Sequence, residues 1–289
     1  MMSTAWVKEL EAQAGISVQT FRSVSGGDIA DAYYLETSKG DRFFLKMQAQ
    51  PNAHLMFAVE KAGLGALGQH PSIRIPQVLG LFQLSDRAAL LMEYIEAKRP
   101  GPQEWQLFGR SLAELHCQVQ GYFGWTQDNF IGRLPQSNRR HDSWITFYAQ
   151  ERLLSQLERA KTQGLLKGTE CPDLATLQDR LDPYLAEVQP SLLHGDLWSG
   201  NFLFDQEGRP CLIDPATYYG HHEVDLAMSR LFGGFHTLFY EAYAEIMPEQ
   251  LGAGARHDLY QLYYLLVHLN LFGRSYYTSV KKLLERYFS

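Results

Sequence analysis

Chemically capable side chains crowd one stretch of the chain, Ser191-Leu-Leu-His-Gly-Asp-Leu-Trp-Ser-Gly-Asn-Phe-Leu-Phe204, with Asp214 a little beyond it. Phe202-Leu203-Phe204 and Cys211-Leu212-Ile213 are short apolar runs, and Asp205-Gln-Glu-Gly208 between them supplies the Asp and Gly that tight connections favour. A β-hairpin is expected. Its antiparallel strands would bring Asn201, just before the first, and Asp214, just after the second, to the same open end. Asp196, in the Gly-containing loop His194-Gly195-Asp196, can reach the same space. An amide and two carboxylates around one point are oxygen donors suited to a hard cation such as Mg²⁺, which leaves its remaining positions to water and phosphate oxygens. Singly, Asp196 and Asp214 would each be read as turn residues. The Asp196-x-x-x-x-Asn201 spacing, followed by Asp214 after a hairpin, makes a joint site the better reading.

That spacing also matches the catalytic loop of kinases, where the Asp takes the proton of the acceptor and the Asn holds metal. Such chemistry needs a cation for the phosphates. Phe43-Phe-Leu-Lys46-Met sets a lysine among apolar neighbours, where lysine is rarely buried unpaired. The helix expected over roughly 54 to 67 puts Glu60 on the same face as Phe57, Leu64 and Leu67. Glu60 therefore wants a cation, and Lys46 is the nearest in sequence. A strand Lys paired with a helix Glu positions nucleotide phosphates in kinases; alternatively Glu60 reaches water from the edge of its face. Gly26 and Gly27, in Ser25-Gly-Gly-Asp28 between two strand-like runs, could form a backbone N–H nest over phosphates or a plain hairpin turn. No Gly-Lys-Ser/Thr follows, so this is not a P-loop. Backbone groups of Glu93 and Ile95, at the end of a later strand, are placed to meet an adenine edge.

The elements that must position these groups can be read from periodicity. A short amphipathic helix over 4 to 14 precedes strands at Gln19–Ser25, Ala32–Thr37 and Arg42–Met47; Val78–Phe82 and Ala88–Ile95 complete a five-stranded antiparallel sheet. Polarity shifts at Glu96-Ala-Lys-Arg-Pro-Gly-Pro102, which is taken as the boundary between an amino-terminal lobe, 1–96, and a mainly helical lobe, 97–289. In the second lobe Trp105, Phe108, Leu112, Leu115 and Val119 recur at three- and four-residue steps. Helices are expected over 142–163, 173–187, 223–231, 237–246, 256–272 and 275–287, with Trp144, Phe147, Leu154 and Leu157 in one core stripe and Leu259, Leu262, Tyr263 and Leu266 in another.

Composition narrows the partners. At 289 residues the chain can bury two cores, and 45% hydrophobic with 20% charged residues is ordinary globular usage. A net charge of −6 gives no reason to expect nucleic acid or an anionic membrane. No run approaches the roughly 18 apolar residues of a membrane span, and Met1-Met-Ser-Thr-Ala-Trp-Val lacks the apolar core of a signal peptide; a cytoplasmic location is expected. Cys117, Cys171 and Cys211 are odd in number and widely spaced, so they are read as reduced.

The order of parts resembles the kinase-like phosphotransferases: an α+β, bilobal protein-kinase-like fold with an antiparallel sheet lobe, a strand Lys and helix Glu, a linker, then H-G-D-x-x-x-x-N and a later Asp. More closely the chain resembles the fructosamine kinase (ketosamine-3-kinase) family. Leu193-His-Gly-Asp-Leu-Trp-Ser-Gly-Asn201, Asp214-Pro-Ala216, Tyr218-Tyr-Gly220, Glu223-Val-Asp-Leu-Ala-Met228 and Leu231-Phe-Gly-Gly-Phe235 carry the resemblance. Gly132-x-x-x-Gln136-x-Asn138, Leu259-Tyr-Gln-Leu-Tyr263 and Asn270-Leu-Phe-Gly273 extend it over nearly the whole length.

The resemblance implies ATP- and Mg²⁺-dependent phosphorylation of the sugar 3-hydroxyl of a ketosamine, small or protein-bound. It implies Asp196 as base, Asn201 and Asp214 on the metal, Lys46 and Glu60 on the phosphates, and Trp198, His222 and Glu223 toward the acceptor. It further implies that Asp225 braces the catalytic loop. Two departures stand out: many members carry Arg where this chain has His222, and some carry Cys where it has Asp28. A protein kinase is disfavoured because only Pro215 to His222 separate Asp214 from the next helix, and no Ala-Pro-Glu follows. The alternatives kept are another small acceptor, an aminoglycoside or amino alcohol, and a nucleotide-binding pseudoenzyme. A transition-metal site of His194, His221, His222 and Glu223 is disfavoured because adjacent histidines diverge by about 100° on a helix.

Overall fold

The computed structural model of the chain describes residues 5–24, 30–185 and 188–289. Five strands form the amino-terminal sheet: β1 (Val18–Ser23), β2 (Asp31–Thr37), β3 (Arg42–Gln48), β4 (Val78–Gln83) and β5 (Ala88–Glu93), in the spatial order β1-β2-β3-β5-β4. Every pairing is antiparallel. After β3 the chain leaves through helix α2 (Ala53–Leu67) and returns as edge strand β4, which lets β5 fold back beside β3. Alternation decides what each face meets. Tyr33, Leu35, Leu45 and Met47 pack on Trp6 and Leu10 of α1 (Ala5–Ala14), whereas Leu90 and Met92 pack on Phe57 and Leu64 of α2. Covered on both faces, β5 is buried from Ala88 to Met92, which explains its unbroken apolar run.

Helix α3 (Pro102–His116) starts where sequence chemistry allows it to. Pro102 occupies the first turn, where its missing N–H is no loss, and the Glu104 carboxylate accepts the Gly101 N–H at 2.9 Å. Phe108, Leu112 and Leu115 are buried as the stripe predicts; Val119 is not, because the helix ends first and leaves it 51% exposed. The helix expected over 142–163 is realised as α4 (Trp144–Phe147) and α5 (Ser155–Thr162) joined by a π-helical stretch, Tyr148–Leu154. The wider turn carries the charged pair Glu151 and Arg152 inward. Arg152 is fully buried, with Nη atoms donating to Ser137 O and Asn138 Oδ1 and its guanidinium over Tyr218.

The remaining elements are α6 (Leu174–Leu185), α7 (Glu223–Leu231), α8 (Thr237–Ala244), α9 (Ala253–Phe272) and α10 (Tyr277–Phe288). Helix α9 is the centre of the second core: Leu259, Leu262, Tyr263 and Leu266 are buried, and so are Tyr260, Tyr264 and Leu269 on its other sides. Three two-stranded ribbons complete the chain: β6 (Asn129–Ile131) with β7 (Leu134–Gln136), β8 (Ser191–Leu193) with β11 (Tyr218–Gly220), and β9 (Phe202–Phe204) with β10 (Pro210–Leu212). Only the last was anticipated from turn signals. Among the described residues no helix is long and apolar enough to cross a membrane.

Candidate active site

Strand β8 delivers the chain into His194-Gly195-Asp196, and the loop is held from every side. Gly195 adopts φ +84°, and a Cβ there would strike the carbonyl of Ala216, so only glycine fits. The Asp225 carboxylate accepts the His194 N–H at 2.7 Å on Oδ2 and the Gly195 N–H at 2.9 Å on Oδ1, while Tyr264 Oη donates to Gly195 O at 2.8 Å. His194 Nε2 donates to Ile213 O at 2.9 Å, and its Nδ1 accepts the Asp196 N–H at 3.2 Å. Burial lowers the pKa of that ring against the pull of nearby carboxylates, which suits a neutral imidazole with one donor and one acceptor.

The hairpin sets Asn201 and Asp214 side by side as anticipated: Leu212 pairs with Phe202, and the Ile213 N–H donates to Asn201 O at 3.0 Å. Asn201 Nδ2 donates to Asp196 O at 2.8 Å and to Asp196 Oδ2 at 3.1 Å. With its NH₂ so engaged, the amide has Oδ1 as its atom for a cation. Asp214 is the one non-glycine at positive φ, 55°, among the described residues, a conformation that Asp tolerates better than most side chains. Burial, and behind it the charges of Asp214 and Asp225, push Asp196 up to about 7 against the hydrogen bond from Asn201. A carboxylate titrating there is poised to take or hold a proton near neutrality.

Lys46 Nζ meets Glu60 Oε1 at 2.8 Å, Glu60 Oε2 at 2.9 Å and Asp214 Oδ1 at 2.8 Å. Burial alone would depress the Lys46 ammonium; the Asp214 and Glu60 carboxylates outweigh it and hold the pKa above its ordinary value. Burial and the neighbouring Asp214 raise Glu60, with Lys46 opposing. One ammonium thus serves two carboxylates and fastens the sheet to the hairpin. Helix α2 is seated by Gly63, whose missing Cβ would lie 3.0 Å from Thr217 Oγ1 and 3.3 Å from the Pro215 ring.

These groups line one cavity of about 560 Å³. Ala30, Ala32, Lys46 and Glu60 line it together with Asp196, Asn201 and Asp214. Phe232, His268, Phe272 and Tyr276, also in the lining, make an aromatic wall in which His268 lies 4.8 Å from Phe232, 5.5 Å from Phe272 and 5.1 Å from Tyr276, centroid to centroid. Trp198 lines the cavity and is 37% exposed, so it is not a core residue. The wall was missed in the sequence, where Phe232 and Phe272 appear only inside Leu231-Phe-Gly-Gly-Phe235 and Asn270-Leu-Phe-Gly273; nothing local shows that both rings face one space. The carboxylates lining the cavity, among the described residues, are Glu60, Asp196 and Asp214.

Four other expected residues, Glu93, Ile95, His222 and Glu223, do not line this cavity. Gly26 and Gly27, with Asp28, are outside the described residues. Glu93 and Ile95 are not in the cavity lining: the Glu93 N–H donates to Gln77 O at 2.8 Å, its carboxylate pairs with Arg74, and the Ile95 side chain is buried. His222 and Glu223 are also absent from the lining. Glu223 is buried in a two-point ion pair with Arg256, 2.6 Å at both Nε and Nη2, and His222 Nδ1 bonds Tyr243 Oη at 2.9 Å. The start of α7 turns both away from the cavity. One ligand atom each from His221, His222 and Glu223 come within 4.8 Å of one another, but all three side chains already have partners, His221 Nδ1 with Tyr260 Oη at 2.8 Å. His194 is on Ile213, which dissolves the four-residue transition-metal reading.

Comparison with known proteins agrees with this geometry. The family pattern for fructosamine kinase matches residues 1–289. A protein of Enterococcus faecium named a probable ketoamine kinase is 40% identical over 267 residues, covering 91% of this chain and 94% of its own. A chloroplastic protein-ribulosamine 3-kinase of Arabidopsis thaliana is 38% identical over 275 residues, 92% of this chain and 81% of its own. A solved structure of a candidate fructosamine-3-kinase from Haemophilus somnus superposes with a TM-score of 0.87 at 28% identity, over 98% of this chain and 96% of the other. More distant phosphotransferases, at 15–16% identity, share the protein-kinase-like fold alone.

Proposed function

The chain belongs to the fructosamine kinase family, and on that premise we propose that it phosphorylates the 3-hydroxyl of ketosamines, the Amadori adducts of sugars on amines, at the expense of ATP. The observation that carries this reading is the position of Asp196, a carboxylate raised to about 7, on one cavity lined both by the Lys46 cluster and by an aromatic wall. A base between a phosphate end and an acceptor end is what phosphoryl transfer to an alcohol requires.

The donor set fits Mg²⁺ and ATP. Asn201 Oδ1 and the Asp214 carboxylate are hard oxygen ligands that suit Mg²⁺, and Lys46, kept charged by Glu60, has the sign and position for phosphate oxygens. Bound Mg²⁺ and ATP would supply the phosphoryl group and neutralise its charge. Asp196 orients the acceptor hydroxyl and receives its proton. Asn201 fixes the Asp196 carboxylate through the 3.1 Å hydrogen bond, and Asp225 and Tyr264 fix the backbone beneath it. Trp198 and the Phe232, His268, Phe272 and Tyr276 wall would hold the sugar and amine substituent by stacking. The lining supplies no carboxylates beyond Glu60, Asp196 and Asp214 among the described residues, a poor match to a polycationic aminoglycoside. A 3-phosphate on such an adduct is prone to eliminate once the adduct enolises, which frees the amine, so the activity amounts to deglycation.

The test is ADP release with synthetic fructosamine, ribulosamine and erythrulosamine, with an aminoglycoside and choline as controls. Turnover confined to ketosamines is expected. Release only with a control compound would overturn the substrate assignment.

A further inference from the structure

Asp225, on which the catalytic loop hangs, is itself held by groups that phosphoryl transfer does not otherwise use. Its Oδ2 lies 3.2 Å from His116 Nε2; His116 Nδ1 lies 2.8 Å from Tyr243 Oη; the same Oη lies 2.9 Å from His222 Nδ1. His116 and Asp225 have no exposed surface, and Tyr243 is 2% exposed. The chain of contacts joins α7, α3, α8 and the turn before α7.

Proton positions follow from what each group can do. A carboxylate only accepts, and Asp225 already accepts two backbone N–H groups, so His116 Nε2 must carry hydrogen and donate. In the neutral ring Nδ1 is then an acceptor, and the phenol must donate to it. The phenol oxygen is left to accept from His222 Nδ1–H. Burial, with His116, Arg256 and His257 nearby, lowers His222 to about 3, consistent with a neutral ring in that role. The other acceptor within reach of Tyr243 Oη is Met247 Sδ at 3.4 Å, a weaker partner than imidazole nitrogen. Without the phenol, His116 Nδ1 would be buried with no donor, and the ring would lose the contact that holds its Nε2–H on Asp225.

We propose that Tyr243 is a positioning residue for phosphoryl transfer: its hydroxyl donates to His116 Nδ1 and anchors the ring with Nε2–H on Asp225, which keeps Asp225 aligned on the His194 and Gly195 N–H groups and so aims Asp196. The proposal rests on Asp196 acting as the base. It also gives His222 a place in the catalytic support instead of at the acceptor.

The experiment is a double-mutant cycle with ketosamine-dependent ADP release and thermal melting: wild type, Tyr243→Phe, His116→Gln, and the double variant. The glutamine introduced by His116→Gln presents an amide N–H where His116 Nε2 stood and has no ring nitrogen for the phenol to anchor. Tyr243→Phe is expected to lower kcat about tenfold, the scale of one buried hydrogen bond left unmade, with the ketosamine KM within about twofold. In the His116→Gln background the same change should alter kcat by less than about twofold, because coupled residues do not add. Equal losses in both backgrounds would overturn the inference. So would a change in KM alone, or a Tyr243→Phe protein that does not fold and is not restored by His116→Gln. Wild-type protein that releases no ADP with any ketosamine would strike the proposed function instead.

Discussion

Lys46 Nζ stands 2.8 Å from Asp214 Oδ1, across 168 positions of sequence. The contact ties the sheet to the hairpin and makes the phosphate-handling cation and a metal-handling carboxylate parts of one charge cluster. Glu60 completes it at 2.8 Å. With Lys46 and Glu60 side chains only 12% and 13% exposed, the cluster is strongly coupled.

Replacing Lys46 with Met should therefore cost stability as well as activity. It leaves Glu60 buried beside Asp214 with no cation, a change on the order of 3–5 kcal/mol. Denaturant unfolding should show that loss, and Lys46→Met/Glu60→Gln should recover much of it. A single variant as stable as wild type would show that the cluster is not a coupled unit.

Asp196→Asn should reduce kcat by about 10³-fold, within the range of a lost general base, while nucleotide binding, followed by fluorescence titration, stays within a few fold. Unchanged turnover would remove Asp196 from the role of base.

The pH dependence follows from the same residue. Asp196 must be ionised to accept a proton, and burial raises it to about 7. Activity should then fall as pH drops through about 7, visible as the acid limb of kcat/KM. The stability sign is opposite. Because the folded pKa is raised, the favourable contribution is full below the ordinary carboxylate range and is lost as pH rises through about 7. Asp196→Asn should accordingly melt above wild type at pH 8, with the gap closing at pH 4. An unchanged gap would mean that the carboxylate carries no burial strain.

Trp198→Ala should raise the KM for ketosamine about tenfold, the loss of one stacking surface, and leave the KM for ATP unchanged. An equal rise for both would place Trp198 in the support of the loop.

Local patterning made the charged machinery of the cavity readable. The β9–β10 hairpin declared itself through two apolar runs and an Asp/Gly turn, and Glu60 through helical spacing from Phe57 and Leu64. The acceptor wall was not readable, because Phe232 follows α7 and Phe272 ends α9, and the two rings reach His268 only through the packing of α7 on α9. His222 and Glu223 misled for the converse reason: closeness to a motif in sequence says nothing of direction, and the first turn of α7 points them at Tyr243 and Arg256. The ribbon of β8 with β11 was hidden because the whole β9–β10 hairpin lies between its strands, so no turn signal joins them.

Gly63 has a wider consequence. With only a hydrogen between α2 and Thr217, the helix that carries Glu60 is keyed into the segment following Asp214. Rotating α2 outward would break that fit and strand Glu60 from Lys46, so the pairing that readies Lys46 is built into the seating of the helix itself.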